Sequence, residues 1–274
     1  MQDKIPFKIL VQAARPKTLP LSFACILMGL NISILMNGKL NWIVAIMSVL
    51  TCFLLQILSN FANDLGDAVN GADTDKRIGP ERVVQSGKIS ITKMGMIVRN
   101  LIVMCLLSGI LLLISAYSII HLIGLIILFI LGISGILAAK YYTGGKNPYG
   151  YKALGDISVF IFFGLIGVLG PMYLQLGYFP MDYRLYFPAI AMGLLSTGVL
   201  NINNMRDIET DKETGKITIP VILGRPKAKI YHYDNFITKA PSLNKNRFYI
   251  RIGCSDRIME TKLPSRHIIC IFEN

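Results

Sequence analysis

Six apolar runs, at residues 18–36, 40–60, 95–117, 119–139, 153–176 and 183–204, govern what this chain can fold into. Each is close to the ~20 residues that a helix needs to cross about 30 Å of hydrocarbon. In that medium every backbone donor and acceptor must be satisfied within the protein, which leaves helices or a closed barrel. The runs are continuously apolar, with none of the alternation of a barrel strand. Only 16% of the residues are charged and mean hydropathy is +0.53, whereas a soluble domain carries roughly a quarter charged residues. The expected fold class is all-α: a polytopic membrane helical bundle.

The opening MQDKIPFKILVQAARPKTLP has no short apolar core followed by a small-residue cleavage site, so no cleaved signal peptide is expected. Cys25, Cys52 and Cys105 fall in apolar runs and Cys254 and Cys270 near the end; none has metal-ligand spacing or suggests a disulfide framework. The net charge of +12 would suit nucleic acid, but its distribution argues for membrane lipid and against nucleic acid. With a cytoplasmic N-terminus, one face holds Lys4, Lys8, Arg15 and Lys17, then Lys76, Arg77, Arg82, Lys88 and Lys93, then Lys140, Lys146 and Lys152, then Arg206, Lys212, Lys216 and Arg225. The opposite loops hold only Lys39 and Arg184. That asymmetry is the positive-inside pattern. The chain is expected to be multi-pass in the cell (inner or plasma) membrane, with its N-terminus and polar loops cytoplasmic.

Two acidic clusters fall on that face. The first is NFANDLGDAVNGADTD, directly after the second run, where Asn60, Asp64 and Asp67 are spaced i, i+4, i+7 and share a helix face beside Asn63. The second is NINNMRDIETDKETGKITIPVILG, where Asp207 and Asp211 are spaced i, i+4, so a continuing helix carries them on one side with Asn203 a turn earlier. Two carboxylates about 6 Å apart repel by about 3 kcal/mol at an effective dielectric of 20, so such a gathering takes up protons or binds cations. Hard oxygen donors without His or Cys favour Mg²⁺ or Ca²⁺. Mg²⁺ takes one or two carboxylates and completes its shell with water and substrate phosphate, which suits a diphosphate held between two such pairs. A single Asp at a helix end is more often a solvated cap; two matched clusters on one face point to function. Lys76, Arg77, Arg82 and Lys88 beside the first cluster, and Arg206 and Lys216 beside the second, suit phosphate contact.

NDLGD with GADTDKRIGPERVVQSGKI, and NNMRDIETDKETGKITIPVILG, resemble the two Asp-rich signatures of the UbiA superfamily of intramembrane prenyltransferases. ARPKTLPLSF and YYTGGKNPYGYKALGD most resemble the branch that prenylates 1,4-dihydroxy-2-naphthoate in menaquinone synthesis, and the likeness covers roughly residues 10–225. It implies a bundle around a central cavity, Mg²⁺ on the two Asp motifs, a polyprenyl diphosphate donor and an aromatic acceptor, with loss of CO₂ and diphosphate. Carried onto this chain, the catalytic metal-diphosphate residues are Asp64, Asp67, Asp207 and Asp211. Asn63 and Asn203 support them, and Arg77, Arg82 and Lys216 contact the diphosphate. The pattern's frequent third acid falls at Gly71, and Asp73 is the substitute metal ligand. Tyr141, Tyr142 and Lys146 are expected at a lid or acceptor site, with an interfacial aromatic belt the competing reading. Arg15 is placed with them as a contact for the acceptor's carboxylate, against a role as a membrane anchor. The alternatives are another aromatic acceptor such as 4-hydroxybenzoate and, from a different class, a divalent-cation transporter.

The resemblance stops after VILGRPKAK, where the superfamily continues to nine membrane helices and this chain has about six. Residues 1–225 form the expected prenyltransferase domain. Residues 226–274, with Pro241 and Pro264 and no apolar run near 18 residues, are expected to be a basic, disordered or frameshift-derived tail. A bundle short of three helices is expected to leave an open wall and to turn over poorly.

Overall fold

A computed structural model describes residues 5–72 and 79–234. An amphipathic helix, α1 (Phe7–Ala14), leads into six helices long and apolar enough to span a membrane: α2 (Leu19–Asn37), α3 (Trp42–Val69), α4 (Ile91–Ser115), α5 (Leu122–Tyr141), α6 (Gly155–Leu176) and α7 (Phe187–Arg206). Two short helices follow, α8 (Ile208–Glu213) and α9 (Ile219–His232). The all-α membrane bundle expected from the apolar runs is the fold observed.

Local chemistry sets the ends. The Asn41 side chain accepts the Val44 N–H at the start of α3, and the Ser90 hydroxyl accepts the Lys93 N–H at the start of α4, each satisfying a donor that the first turn leaves open. Gly38 and Gly177 close α2 and α6 in the left-handed region, the usual glycine stop. Nothing in ANDLGDAV interrupts α3, so that helix runs nine residues past the apolar run and carries Asn60, Asn63, Asp64 and Asp67 in helical register. The second motif differs. The backbone leaves helical geometry at Asp207 (φ −95°, ψ 11°), yet the Asp211 N–H still donates to the Asp207 carbonyl (2.8 Å), preserving the i, i+4 relation across the break.

Lipid tails are as apolar as leucine, so helices associate in a membrane through close packing at small residues. That is how α6 is seated. An added Cβ at Gly29 of α2 would collide with the Val168 carbonyl, and one at Gly164 of α6 with the backbone of Gly193 in α7. The middle of α6, Phe160–Leu169, is π-wound, a winding that recurs at functional sites. Cys25, Ile32, Val168, Met172, Ala189 and Met192 make the core shared by α2, α6 and α7, while Leu58, Phe61, Met94 and Val98 join α3 to α4.

The ends of α3, α5 and α7 and the starts of α4 and α6 meet at one end of the bundle, covered by loops 79–90 and 142–154 and by α8 and α9. Helix α9 turns at Gly224 (φ 72°, ψ 159°) ahead of Pro226 and continues through residue 232, so the first residues of the expected tail are helical. Residues 235–274 lie outside the described residues.

Candidate active site

The first carboxylate pair is enclosed by the loop that follows it. Asp64 and Asp67 are both buried. The Val83 N–H donates to Asp64 Oδ2 (3.2 Å), and Arg82 Nη2 pairs with Asp67 Oδ2 (3.0 Å) in a pair that is nearly sealed from solvent. Val83 and Ile89 of this loop bury themselves against α3 and α4, which explains how an irregular segment places a backbone donor and a guanidinium on adjacent helical carboxylates.

The second pair uses near neighbours in sequence. Arg206 grips Asp207 with two parallel bonds, Nε to Oδ1 (2.8 Å) and Nη2 to Oδ2 (2.7 Å), and donates Nη1 to Asn203 Oδ1 (3.2 Å). Lys216 Nζ lies 3.6 Å from Asp211 Oδ1. Asp211 Oδ2 is buried with no hydrogen-bond partner. Burial pushes the Asp211 carboxyl up to about 6; Lys216 opposes the rise, and the Asp207 and Asp67 carboxylates add to it.

Tyr151 joins the two motifs. Tyr151 donates its hydroxyl to Asp67 Oδ1 (2.8 Å), and Lys216 Nζ sits 5.6 Å from the centre of the same ring. Asp67, Tyr151, Lys216 and Asp211 thus form one continuous chain of contacts from motif to motif. The loop carrying Tyr151 is fixed on both sides. Asn70 donates to the Thr143 carbonyl (2.7 Å), and Thr143 packs on α3 where Gly66 leaves room for it. At the other end Ile217 pairs with the loop in parallel fashion, its N–H donating to the Tyr151 carbonyl (3.1 Å) and its carbonyl accepting from Ala153 (2.8 Å). Tyr142 stands edge-on to Tyr149 at 5.3 Å. Burial, Tyr149 and the charges of Asp67, Asp156 and Asp211 hold the Tyr142 phenol well above its ordinary range, so it is a neutral donor.

Below this junction lies a cavity of about 430 Å³. Its mouth carries Arg15, Asn60, Asn63, Tyr142 and Asn203, and its walls are mainly apolar, interrupted by hydroxyls such as Ser48, Thr51 and Ser196, down to Leu112, Leu128 and Leu174 near the opposite face. Arg15 reaches the mouth from an elbow between α1 and α2 whose backbone is left-handed (φ 49°, ψ 68°), uncommon for a residue with a side chain. Asn60 holds that elbow, donating Nδ2 to the Ala14 carbonyl (2.8 Å) and to Thr18 Oγ1 (3.0 Å), while Thr18 donates to the Arg15 carbonyl (2.9 Å).

The structure therefore brings together Asp64, Asp67, Asp207, Asp211, Arg82, Lys216, Asn63, Asn203, Tyr142 and Arg15. Asn60, which sequence spacing put on the carboxylate face, serves the Arg15 elbow. Tyr141 is half exposed with Lys140 Nζ 5.0 Å from its ring centre, and Lys146 is exposed; neither lines the cavity. Asp73 and Arg77 lie outside the described residues. Sequence reasoning missed Tyr151 as the link between motifs. It quoted Asp156, but nothing local foretold that this buried carboxylate accepts from Tyr231 on α9 (3.1 Å). Among the described residues no group of three His, Cys, Asp and Glu side chains is close enough to cage a metal ion. A Mg²⁺ completed by phosphate needs no such cage, and the hard-oxygen donors and the unmatched Asp211 Oδ2 suit it.

The UbiA prenyltransferase family profile matches residues 22–238. Over 222 residues the chain is 47% identical to a 1,4-dihydroxy-2-naphthoate octaprenyltransferase of Haemophilus influenzae, covering 81% of this chain and 71% of that one. It is 45% identical over 223 residues to the Escherichia coli protein of the same name, covering 81% and 70%. A solved chain from work on digeranylgeranylglyceryl phosphate synthase in membranes shares the fold, with a TM-score of 0.52, 21% identity and coverage of 83% of this chain and 72% of that one. Paired carboxylate mouths over an apolar cavity, a bundle of membrane-length helices and these likenesses agree: the chain belongs to the UbiA prenyltransferase family.

Proposed function

We propose that this membrane prenyltransferase moves a polyprenyl group from its diphosphate to 1,4-dihydroxy-2-naphthoate, with loss of CO₂ and diphosphate, in menaquinone synthesis. The contact chain Asp67–Tyr151–Lys216–Asp211 above an apolar cavity carries this reading. It supports one mouth serving a single leaving group whose hydrocarbon tail lies beneath. The relatives' acceptor supports the choice of naphthoate.

Each residue has a physical task. Arg82 and Lys216, now paired with Asp67 and Asp211, turn toward diphosphate oxygens, and Asn63 and Asn203 at the cavity mouth donate to them. Mg²⁺, held by Asp64, Asp67, Asp207 and Asp211, would offset charge on the departing diphosphate. The apolar walls keep water from the reacting carbon. Arg15 receives the acceptor's carboxylate at the mouth of the cavity that Tyr142 and Tyr149 also line. The prenyl C1–O bond breaks with its electron pair leaving on diphosphate, while the ring carbon that bears the carboxylate supplies the pair for the new C–C bond. The bond to the carboxylate carbon then breaks, returns its electrons to the ring and releases CO₂. No ring proton is removed, so the balance needs no general base, which suits a mouth whose phenol is held neutral. The positive-inside distribution supports a cytoplasmic mouth in the cell membrane.

The test is a membrane assay with Mg²⁺, octaprenyl diphosphate and acceptor labelled at the carboxyl carbon. Label released as CO₂ in step with prenylated diol supports the reading. Prenylation of 4-hydroxybenzoate without any of the naphthoate overturns the acceptor assignment.

A further inference from the structure

The helical glycines fall into two classes. At Gly29, Gly66 and Gly164 an added Cβ would strike a neighbouring segment, which is the ordinary reason for glycine in membrane helices. At Gly109 of α4, Gly132 of α5 and Gly170 of α6 an added Cβ would meet nothing within 4 Å. A glycine inside a helix costs roughly 0.5–1 kcal/mol relative to alanine, and close packing does not account for that cost at these three positions. All three line the cavity. Each lies on its helix's cavity-facing stripe: Cys105, Gly109 and Leu112; Leu128, Gly132 and Gly135; Phe163, Gly170 and Leu174. Gly109 and Gly170 each stand six residues from the far end of their helices, Ser115 and Leu176, which is about 9 Å at 1.5 Å per residue. They therefore sit at one depth on opposing walls, well below the carboxylates.

We propose that Gly109 and Gly170 set the length of prenyl chain the cavity accepts, by leaving its lower chamber open to the distal isoprene units, while Gly132, ten residues from the far end of α5, widens the cavity at mid-depth. This rests on the prenyltransferase reading above and adds the residues that determine chain length. Because these glycines line the cavity and leave space around an added Cβ, a leucine at Gly109 or Gly170 is expected to occupy part of the chamber. It raises the floor for the tail while improving local helix propensity. Stability and long-chain binding should therefore move in opposite directions. Gly95, on the same helix as Gly109, also has nothing within 4 Å of an added Cβ but does not line the cavity, and so provides the control.

The experiment measures thermal stabilisation of the full chain in nanodiscs by geranyl and octaprenyl diphosphates, for the native protein and for Gly109→Leu, Gly170→Leu and Gly95→Leu. The expected result is an apparent Kd for octaprenyl diphosphate raised about tenfold or more in Gly109→Leu and Gly170→Leu. Geranyl diphosphate binding should hold within about twofold, melting temperatures should be unchanged or higher, and Gly95→Leu should match the native profile. Unchanged octaprenyl binding in both cavity variants overturns the proposal, because the tail then leaves the bundle sideways. Equal loss of both ligands also overturns it, placing the effect at the mouth. Absence of binding by either diphosphate to the native chain instead sinks the prenyltransferase reading itself, so the two failures are distinct.

Discussion

Asp64 and Asp67 sit within an unbroken helix and take their partners from a loop some fifteen to nineteen residues away. Asp207 and Asp211 sit either side of a helix break, and their cations come from positions one and five residues off. The first pair is sealed: an arginine and a backbone donor are locked on it by buried Val83 and Ile89. The second pair is looser, with the Arg206 side chain one-third exposed where Arg82 is almost fully covered. The difference teaches that one pair is built into the packing of a distant loop, while the other is held by near neighbours in sequence.

The sharpest way to break this contrast is through turnover. If both mouths grip one leaving group, Asp64→Asn and Asp211→Asn should each lower kcat by about 10²–10³. The double variant should then fall little further, as groups acting as a unit do; multiplied losses would mean that the mouths work separately. Next comes stability, read as the unfolding midpoint in mixed micelles. Arg82→Ala leaves the buried Asp67 with only the Tyr151 hydroxyl and should cost about 3–5 kcal/mol, whereas Arg206→Ala, where solvent already reaches a third of the arginine side chain, should cost less, about 1–3 kcal/mol. Equal losses would erase the distinction between sealed and loose.

A pH titration sharpens it further. The folded Asp211 carboxyl, at about 6, lies above its ordinary 3.8, so the folded state holds the proton more tightly than the unfolded chain. The contribution of Asp211 to the stability of the metal-free protein is then fully present below pH 4 and is lost as pH rises through 6. Asp211→Asn should make the decline between pH 4 and 6 shallower, while Asp182→Asn on the opposite face should leave it intact. The smallest expected effect is for Tyr151→Phe, about 0.5–1.5 kcal/mol for one hydrogen bond; a larger loss would show that the link between mouths is a structural keystone.

Much of this was legible in the sequence. The six apolar runs match the spanning helices to within a few residues at most ends, because spanning length and apolar continuity leave little choice. The i, i+4 spacing placed the carboxylates correctly, even across the break at Asp207, where a single backbone bond keeps the turn. What stayed hidden was contact between segments distant in sequence. Asn60 has the spacing of a site residue but is used by the Arg15 elbow, and only the approach of α1 to α3 decides that. Tyr151 bonds Asp67 because Thr143 and Ile217 fix the intervening loop from either side, and neither constraint is local. Tyr141 and Tyr142 are adjacent and chemically alike; helix phase at the end of α5 turns one outward and the other into the cavity.

The pairing of Lys152 with Ile217 also bears on how the protein is made. A ribosome adding roughly 5–20 residues per second delivers residue 217 several seconds after residue 152. Over that interval the nascent chain can already have Asp67 matched to Arg82, yet the segment bearing Tyr151 has only half its moorings. The link from Asp67 through Tyr151 to Lys216 is therefore completed later in synthesis than the first carboxylate pair.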